Sequence, residues 1–412
     1  MRILVLNSGS SSQKVCLYDL PRELPDAPPH SLWEGKVEWR DDCAKLEVRT
    51  SSGAKTEQEL KRGERSEATA QLLQALLSGE TRVLSQLSDI DMVGHRIVNG
   101  GRKFTRPAIV TPEVKAAIQE MARFAPLHNR VELEGIALIA NQCGSVPQVA
   151  VFDTGFHSEL SDAAAIYPGP YEWAEHGIRK FGFHGINHEY CAGRAAQLLG
   201  RDLASLKLVT CHLGNGCSLA AVHKGKSVDT TMGFTPLDGL MMGTRSGSVD
   251  PGILTYLLRD GQTDGKTLDE MLNTKSGLLG ISGLSGDMRE IITARRAGNQ
   301  RAQLAFDMFV HRLRSGIGSM IAALNGVDAV VFTGGIGENS AEVRKAAMTA
   351  FAFLGLNVDT EKNAAVQPDM DIAMADSKVR VLVIRAQEDW AIARECWKLR
   401  STIQTARTCQ NS

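Results

Sequence analysis

Two arginines and a series of glycine-bearing turns are the residues best suited to chemistry. Arg245 lies in Met242-Gly243-Thr244-Arg245-Ser246-Gly247, and Arg96 closes Gly94-His95-Arg96. A planar guanidinium grips phosphate or carboxylate oxygens with two parallel hydrogen bonds, and phosphoryl transfer spreads charge over such oxygens. An arginine set among glycines is a poor structural residue and a good anion ligand. Glycine-bearing turns follow short apolar runs at Asn7-Ser8-Gly9, Asn99-Gly100-Gly101, Asp153-Thr154-Gly155, His212-Leu213-Gly214-Asn215-Gly216 and Gly334-Gly335-Ile336-Gly337. Lacking a side chain, glycine lets backbone N–H groups approach an anion closely. None of these turns carries GxxxxGK[ST], or GxGxxG at a strand–helix junction, so the P-loop and Rossmann readings lack their markers. Any one of them taken alone is more often a structural hairpin. Together they point to a phosphate cleft.

Further residues could join that chemistry. His128, in Ala125-Pro126-Leu127-His128-Asn129, and His184, in Phe181-Gly182-Phe183-His184-Gly185, each sit in a loop beside apolar neighbours. Each suits a hydrogen-bonded structural role or donation to a phosphoryl or carboxylate oxygen. His157 and His188 read as ordinary loop or helix residues. Asp153, at a strand end, could orient a metal or substrate. Asn7 and Glu388 are hard oxygen donors near the two ends of the chain. Mg²⁺ keeps several waters and takes only one or two protein ligands beside phosphate oxygens. Sequence spacing alone does not bring Asn7 and Glu388 together.

The elements that must position these residues are legible from apolar runs and their breaks. Ile3 to Leu6 and Val15 to Tyr18 read as two strands joined by a small-residue turn. Met92 to Val98, Val149 to Phe152, Leu206 to Cys211, Ser218 to Val222, Ala329 to Thr333 and Val379 to Ile384 read as further strands. Ser66 to Ser78 has helical spacing with Ser66 as its cap, and Thr111-Pro112-Glu113 opens another helix because proline fits a first turn. A helix starts near Ser340, and Asp389 to Lys398 is the last one. The strand–glycine turn–strand unit at the N-terminus returns near residue 210, which suggests two similar halves. The expected domains are 1–150 with 385–412 returning to it, and 151–384 carrying the nucleotide pocket.

Composition bounds the class. The 412 residues exceed one ordinary core, and 43% hydrophobic with 23% charged residues is a globular balance. A net charge of −1 argues against a nucleic-acid-binding surface. The N-terminal apolar run is too short for a signal peptide, and no stretch approaches the roughly 20 apolar residues that span a bilayer. The eight cysteines form no CxxC pair or framework spacing, so they read as reduced cytosolic thiols. A cytoplasmic location without membrane attachment is expected.

The run Leu4-Val5-Leu6-Asn7-Ser8-Gly9-Ser10-Ser11-Ser12-Gln13-Lys14 resembles the N-terminal signature of acetate and propionate kinases. Four more stretches resemble that family in the same order: GHRIVNGG from Gly94, VFDTGFH from Val151, HLGNGCSLAAVHKGKSVDTTMGFTPLDGLMMGTRSGSVDPG from His212, and FTGGIGENS from Phe332. The resemblance extends from Met1 to about Lys398. It implies membership of the sugar kinase, heat-shock chaperone and actin superfamily. The implied fold is α/β, with two ribonuclease H-like (actin-like ATPase) domains, each a mixed five-stranded sheet flanked by helices, and the nucleotide in the cleft between them. A homodimer is implied as well.

The resemblance also implies roles. Asn7 and Glu388 would hold Mg²⁺, for which Mn²⁺ could substitute. Arg96 would bind the carboxylate and phosphoryl groups, Asp153 would position reacting groups and metal, and His184 and Arg245 would stabilise the transferring phosphoryl with help from His128. Val98, Leu127, Phe183 and Pro236 would line the pocket for the substrate's alkyl end. Lys14 and the turn His212, Leu213, Gly214, Asn215, Gly216 would contact nucleotide phosphates. Asp287, Met288 and Arg289, with Gly335, Ile336, Gly337, Glu338 and Asn339, would form the adenosine pocket. The chain departs from the family at three places: Met288 stands where phenylalanine is usual, Arg130 where proline follows LHN, and Ala386-Gln387-Glu388-Asp389 where Thr-Asn-Glu-Glu is usual. The implied activity is reversible, in-line transfer of the ATP γ-phosphoryl to acetate, giving acetyl phosphate and ADP. Propionate or butyrate as substrate, or a nucleotide-binding sensor on the same fold, are the alternatives.

Overall fold

The computed structural model describes residues 1–9, 12–39, 43–61, 65–122 and 126–402, with the side chains of 126–128 outside that description. The chain forms two compact units, Met1–Gly155 with Gln387–Ser412, and Phe156–Ala386.

The first unit is built on β1 (Arg2–Ser8), β2 (Ser12–Asp19), β3 (Trp33–Trp39), β4 (Cys43–Thr50), β5 (Lys55–Lys61), β6 (Met92–Ile97), β7 (Ala108–Ile109) and β8 (Gln148–Phe152). They form one sheet in the order β5-β4-β3-β2-β1-β6-β8-β7. β1 runs antiparallel to β2, with Asn7 opposite Lys14, and parallel to β6. β6 is in turn parallel to β8, with Arg96 beside Val151. Ile3, Leu4, Val5 and Leu6 are all buried, as expected for a central strand covered on both faces. On one side Leu4, Leu17 and Trp33 share a core with Leu72 and Leu76 of α1 (Arg65–Leu77) and Ile139 of α3 (Pro126–Cys143). α2 (Pro112–Met121) starts as expected, with the Thr111 hydroxyl accepting the Val114 N–H. On the other side the C-terminal helix Glu388–Lys398 packs on β1 and β6. Gly94 allows that approach, since a Cβ there would fall 2.6 Å from Cys396 Sγ and 2.7 Å from Ile392 Cγ2.

The second unit contains β9 (Lys207–Leu213), β10 (Cys217–His223), β11 (Lys226–Thr230), β12 (Ala329–Thr333), β13 (Met370–Asp371) and β14 (Arg380–Val383), in the order β11-β10-β9-β12-β14-β13. β9 pairs antiparallel with β10 and parallel with β12. Helix α4 (Gly185–Leu199) lies on β9 and β12, and the long α5 (Gln300–Leu324) lies on β9, β10 and β11.

The five strands β3-β2-β1-β6-β8 and β11-β10-β9-β12-β14 have the same order and the same pattern of antiparallel and parallel neighbours. This is the five-stranded sheet expected for each half. The sheets are larger than expected because β4 and β5 prolong the first as a meander, β7 borders it, and β13 borders the second. Three local expectations change. The expected boundary at residue 150 would cut β8, whose ladder with β6 holds it in the first unit. Ser66 lies inside α1, which begins at Arg65. Gly334-Gly335-Ile336-Gly337 is the start of a short helix, Gly334–Asn339, and Ser340 caps the next one, Ala341–Thr349.

Candidate active site

In the first unit the parallel strands deliver three expected residues to one sheet edge, the carboxyl ends where ligands of open α/β sheets bind. Arg96 Nε donates to Asp153 Oδ2 at 3.1 Å, Nη2 donates to the same oxygen, and Nη1 donates to Asn7 Oδ1 at 3.3 Å. Asp153 is 1% exposed. Burial opposes the charge on Arg96, but the carboxylates of Asp153 and Glu388 hold its pKa above the ordinary arginine value. Asn7 Nδ2 donates to Glu388 Oε2 at 3.2 Å and to Asp389 Oδ1 at 3.0 Å, which joins the two ends of the chain. Lys14 Nζ, expected at nucleotide phosphates, donates to Asp389 Oδ2 at 2.6 Å. Burial pulls against its charge, and Asp389 more than restores it. Asp389 is thus the hinge of this network, a role its sequence position did not announce.

The donors around Asn7 and Glu388 are carboxylate and carboxamide oxygens, the set a hard divalent cation takes. Among the described residues, no three His, Cys, Asp or Glu side chains group as a metal site.

Glu132 on α3 is a second unanticipated residue. It is buried, and its two oxygens accept the Val98 N–H at 3.1 and 3.2 Å. Burial pushes its pKa up to about 8, against the pull of the Val98 N–H and Arg96. The native state therefore binds this proton more tightly than the unfolded chain does. The associated stability is full below the ordinary carboxyl range and is lost as pH rises toward 8. Glu132→Gln keeps an acceptor for Val98 and removes the titration. Urea unfolding from pH 5 to 9 should show wild type losing stability relative to Glu132→Gln, by about 1.4 kcal/mol for each pH step of one up to that limit. Parallel stability curves would contradict this.

In the second unit the cationic and glycine elements converge. His184 takes a left-handed conformation, φ 58° and ψ 22°, just before α4. Its ring stacks on His212 with centroids 4.1 Å apart, and Nδ1 lies 2.9 Å from Ser218 Oγ. A Cβ on Gly216 would sit 3.4 Å from both His184 Cε1 and Arg245 Nη2, so the bare turn backbone, the imidazole and the guanidinium share one place. Arg245 Nη1 donates to the Pro236 carbonyl at 2.8 Å. Its segment is locked by glycine packing: a Cβ on Gly277, where φ is +63°, would strike Met242 O at 2.2 Å and Arg245 O at 2.7 Å.

The expected adenosine segments abut the same turn. Gly243 packs on Gly286 and donates its N–H to Asn215 O at 3.0 Å, placing Asp287 nearby in sequence. Gly334 has φ +77°, and a Cβ there would lie 2.8 Å from Leu213 O, so helix Gly334–Asn339 begins against the turn. Asp287 caps its own helix through the Arg289 N–H, Met288 is buried, and the Arg289 side chain is exposed and paired with Asp287. Glu338 Oε1 accepts the N–H groups of Gly334 and Ala386, each at 2.9 Å, and Asn339 Nδ2 donates to Gly335 O. Arg344, 1% exposed, donates to the carbonyls of Gly337 and Glu338 and to Asn363, closing the end of that helix. Burial pushes its pKa down to about 10.

Of the expected pocket residues, Val98 is buried in the first unit, and Phe183 is buried and Pro236 half-buried in the second. Leu127 and His128 lie outside the described side chains. Arg130 is exposed beside Glu134. No helix among the described residues is long and apolar enough to cross a membrane.

Each unit's five-stranded core has the strand order of the actin-like ATPase fold, and the comparisons with known proteins show the class to be a phosphotransferase of that fold. The profile of the acetokinase family matches residues 2–394, and the chain belongs to that family. It is 58% identical over 402 residues to the acetate kinase of Nostoc sp., spanning 97% of this chain and 99% of that one. It is also 58% identical to the Gloeobacter violaceus acetate kinase over the same shares. Among solved structures it is similar to the Porphyromonas gingivalis acetate kinase, with TM-score 0.88, 38% identity, and 97% and 99% of the two chains covered. A propionate kinase from Francisella tularensis gives TM-score 0.86 at 38% identity, covering 96% and 98%.

Proposed function

We propose that this chain is an acetate kinase, catalysing reversible transfer of the ATP γ-phosphoryl to acetate by in-line displacement. The observation that carries the reading is the convergence of His184, Arg245 and the bare backbone of Gly216, which is what a transferring phosphoryl group needs. Acetate is already an anionic nucleophile, so no general base is required. The barrier lies in bringing two anions together. Arg96, oriented by Asp153 and Asn7, takes the carboxylate, and Val98, Leu127, Phe183 and Pro236 are the apolar residues that the family resemblance assigns to the methyl group. His184 and Arg245, with His128, neutralise charge on the phosphoryl oxygens. The segment 212–216 and Lys14 serve the nucleotide phosphates, and Asp287–Arg289 with Gly335–Asn339 serve the adenosine. Asn7 and Glu388 would hold Mg²⁺, or Mn²⁺ in its place, which neutralises phosphate charge when bound. The family resemblance supports a cytoplasmic homodimer.

The likeness to a propionate kinase favours one second reading, a longer acid as preferred substrate. One methylene in an apolar pocket discriminates by only about 1–3 kcal/mol. Acyl hydroxamate formation from ATP with acetate, propionate and butyrate side by side decides between them, with a chelator control. Acetate should turn over best, and chelation should abolish the signal. A propionate preference would move the substrate, and no hydroxamate from any acid would end the kinase reading.

A further inference from the structure

We propose that Tyr167 and Asp238 are positioning residues for phosphoryl transfer: they clamp the turn at Gly233, from which Pro236 and Arg245 on one side and Phe183 and His184 on the other take their places. The inference rests on the kinase reading, and its geometry lies wholly within the second unit.

After β11 the chain makes a long loop, residues 231–248, that is tied at its base. Gly239 has φ +96°, and a Cβ there would lie 2.6 Å from Thr231 O. The Ser248 N–H donates to Gly239 O at 3.0 Å. Tyr167 and Asp238 close on the start of this loop. Tyr167 Oη accepts the Phe234 N–H at 2.8 Å and hydrogen-bonds the Asp238 carboxylate. A backbone N–H only donates and a carboxylate only accepts, so the phenol proton goes to Asp238. Burial and the Asp238 charge push the Tyr167 pKa up to about 12, which keeps that proton in place. Asp238 Oδ1 accepts the Ser248 hydroxyl at 2.6 Å and the Gly239 N–H at 2.8 Å. Gly233 is pinned between the two side chains, since a Cβ there would collide with both Tyr167 Oη and Asp238 Oδ2.

Two branches leave the clamp. Three residues beyond Gly233, the Pro236 carbonyl accepts from Arg245 Nη1 at 2.8 Å. On the other side, Gly233 O accepts the N–H groups of Phe181 at 3.1 Å and Gly182 at 3.3 Å, directly ahead of Phe183 and His184. The Phe181 and Phe234 rings stack across the same junction, with centroids 6.0 Å apart. One phenol–carboxylate pair thus anchors both proposed phosphoryl ligands of this unit and both of its proposed alkyl-pocket residues. An anionic Asp238 would repel a phosphoryl group, so the pair acts through the residues it holds. Misplacing such residues by about 1 Å costs about 10²-fold in rate.

The test is acyl hydroxamate formation by the full chain, with the folded fraction of each variant measured by circular dichroism. Tyr167→Phe keeps the ring and removes the clamp's proton. Its kcat with acetate should fall about 10- to 100-fold, with KM for ATP within a fewfold. The ratio of kcat/KM for acetate to that for propionate should shift by about threefold or more, because Pro236 and Phe183 move together. Tyr167→Phe/Asp238→Ala should be no slower than Asp238→Ala alone, as two halves of one clamp require. A merely structural role predicts activity lost only in proportion to folded protein, with acid preference unchanged. That result overturns the proposal, as do losses that multiply in the double variant. Should Asp238→Ala not fold, Tyr167→Phe alone decides. A wild type that forms no hydroxamate fails the kinase reading itself, whereas unchanged variants of an active wild type fail this proposal alone.

Discussion

Arg245→Ala should lower kcat by about 10³ to 10⁵ while KM for ATP changes only a fewfold. The guanidinium reaches Gly216 and His184, where the phosphoryl group would sit, and its segment is held by glycine packing rather than by the side chain. Removing it takes away charge stabilisation that grows as the phosphoryl group moves, without dismantling the turn proposed for the nucleotide phosphates. Arg245→Lys should recover little, because an ammonium lacks the planar fork. Steady-state kinetics with both substrates varied separates the outcomes. A variant with normal kcat and a raised KM for ATP would remove Arg245 from the transition state.

Arg96→Ala should lose both activity and stability. Asp153 is 1% exposed and takes two hydrogen bonds from that guanidinium, so the alanine variant leaves a buried carboxylate without its cation. Breaking a buried pair from one side costs about 3–5 kcal/mol. The Arg96→Ala/Asp153→Asn double variant removes the stranded charge and should regain most of that stability while remaining inactive. The non-additivity in urea unfolding measures the coupling between them. If Arg96→Ala unfolds like wild type, Asp153 does not depend on Arg96.

Much of the first-unit edge was legible because its chemistry is local to strand ends. Asn7, Arg96 and Asp153 each close an apolar run, and parallel strands carry such ends to one edge. The glycine turn 214–216 was legible for the same reason. What escaped depends on register and long-range packing. Ser218 and Thr210 both meet His188 only because β9 and β10 pair with Ser218 opposite His212 and Thr210 opposite Ala220. In the sequence these are an unremarkable serine, threonine and helix histidine. Glu132 and Arg344 were not singled out in the sequence, because their burial is decided by neighbours elsewhere in the chain. The meander β3–β5 was hidden by its charged residues, such as Glu34, Lys36 and Glu38 alternating along the less buried face of β3.

The central claim is that a carboxylate oxygen attacks the γ-phosphorus of ATP. Acetyl phosphate made from ¹⁸O-labelled acetate and ATP, followed by ³¹P NMR, tests it directly. The account predicts ADP together with acetyl phosphate carrying one ¹⁸O bonded to phosphorus. Unlabelled inorganic phosphate alone, or AMP with pyrophosphate, would contradict it.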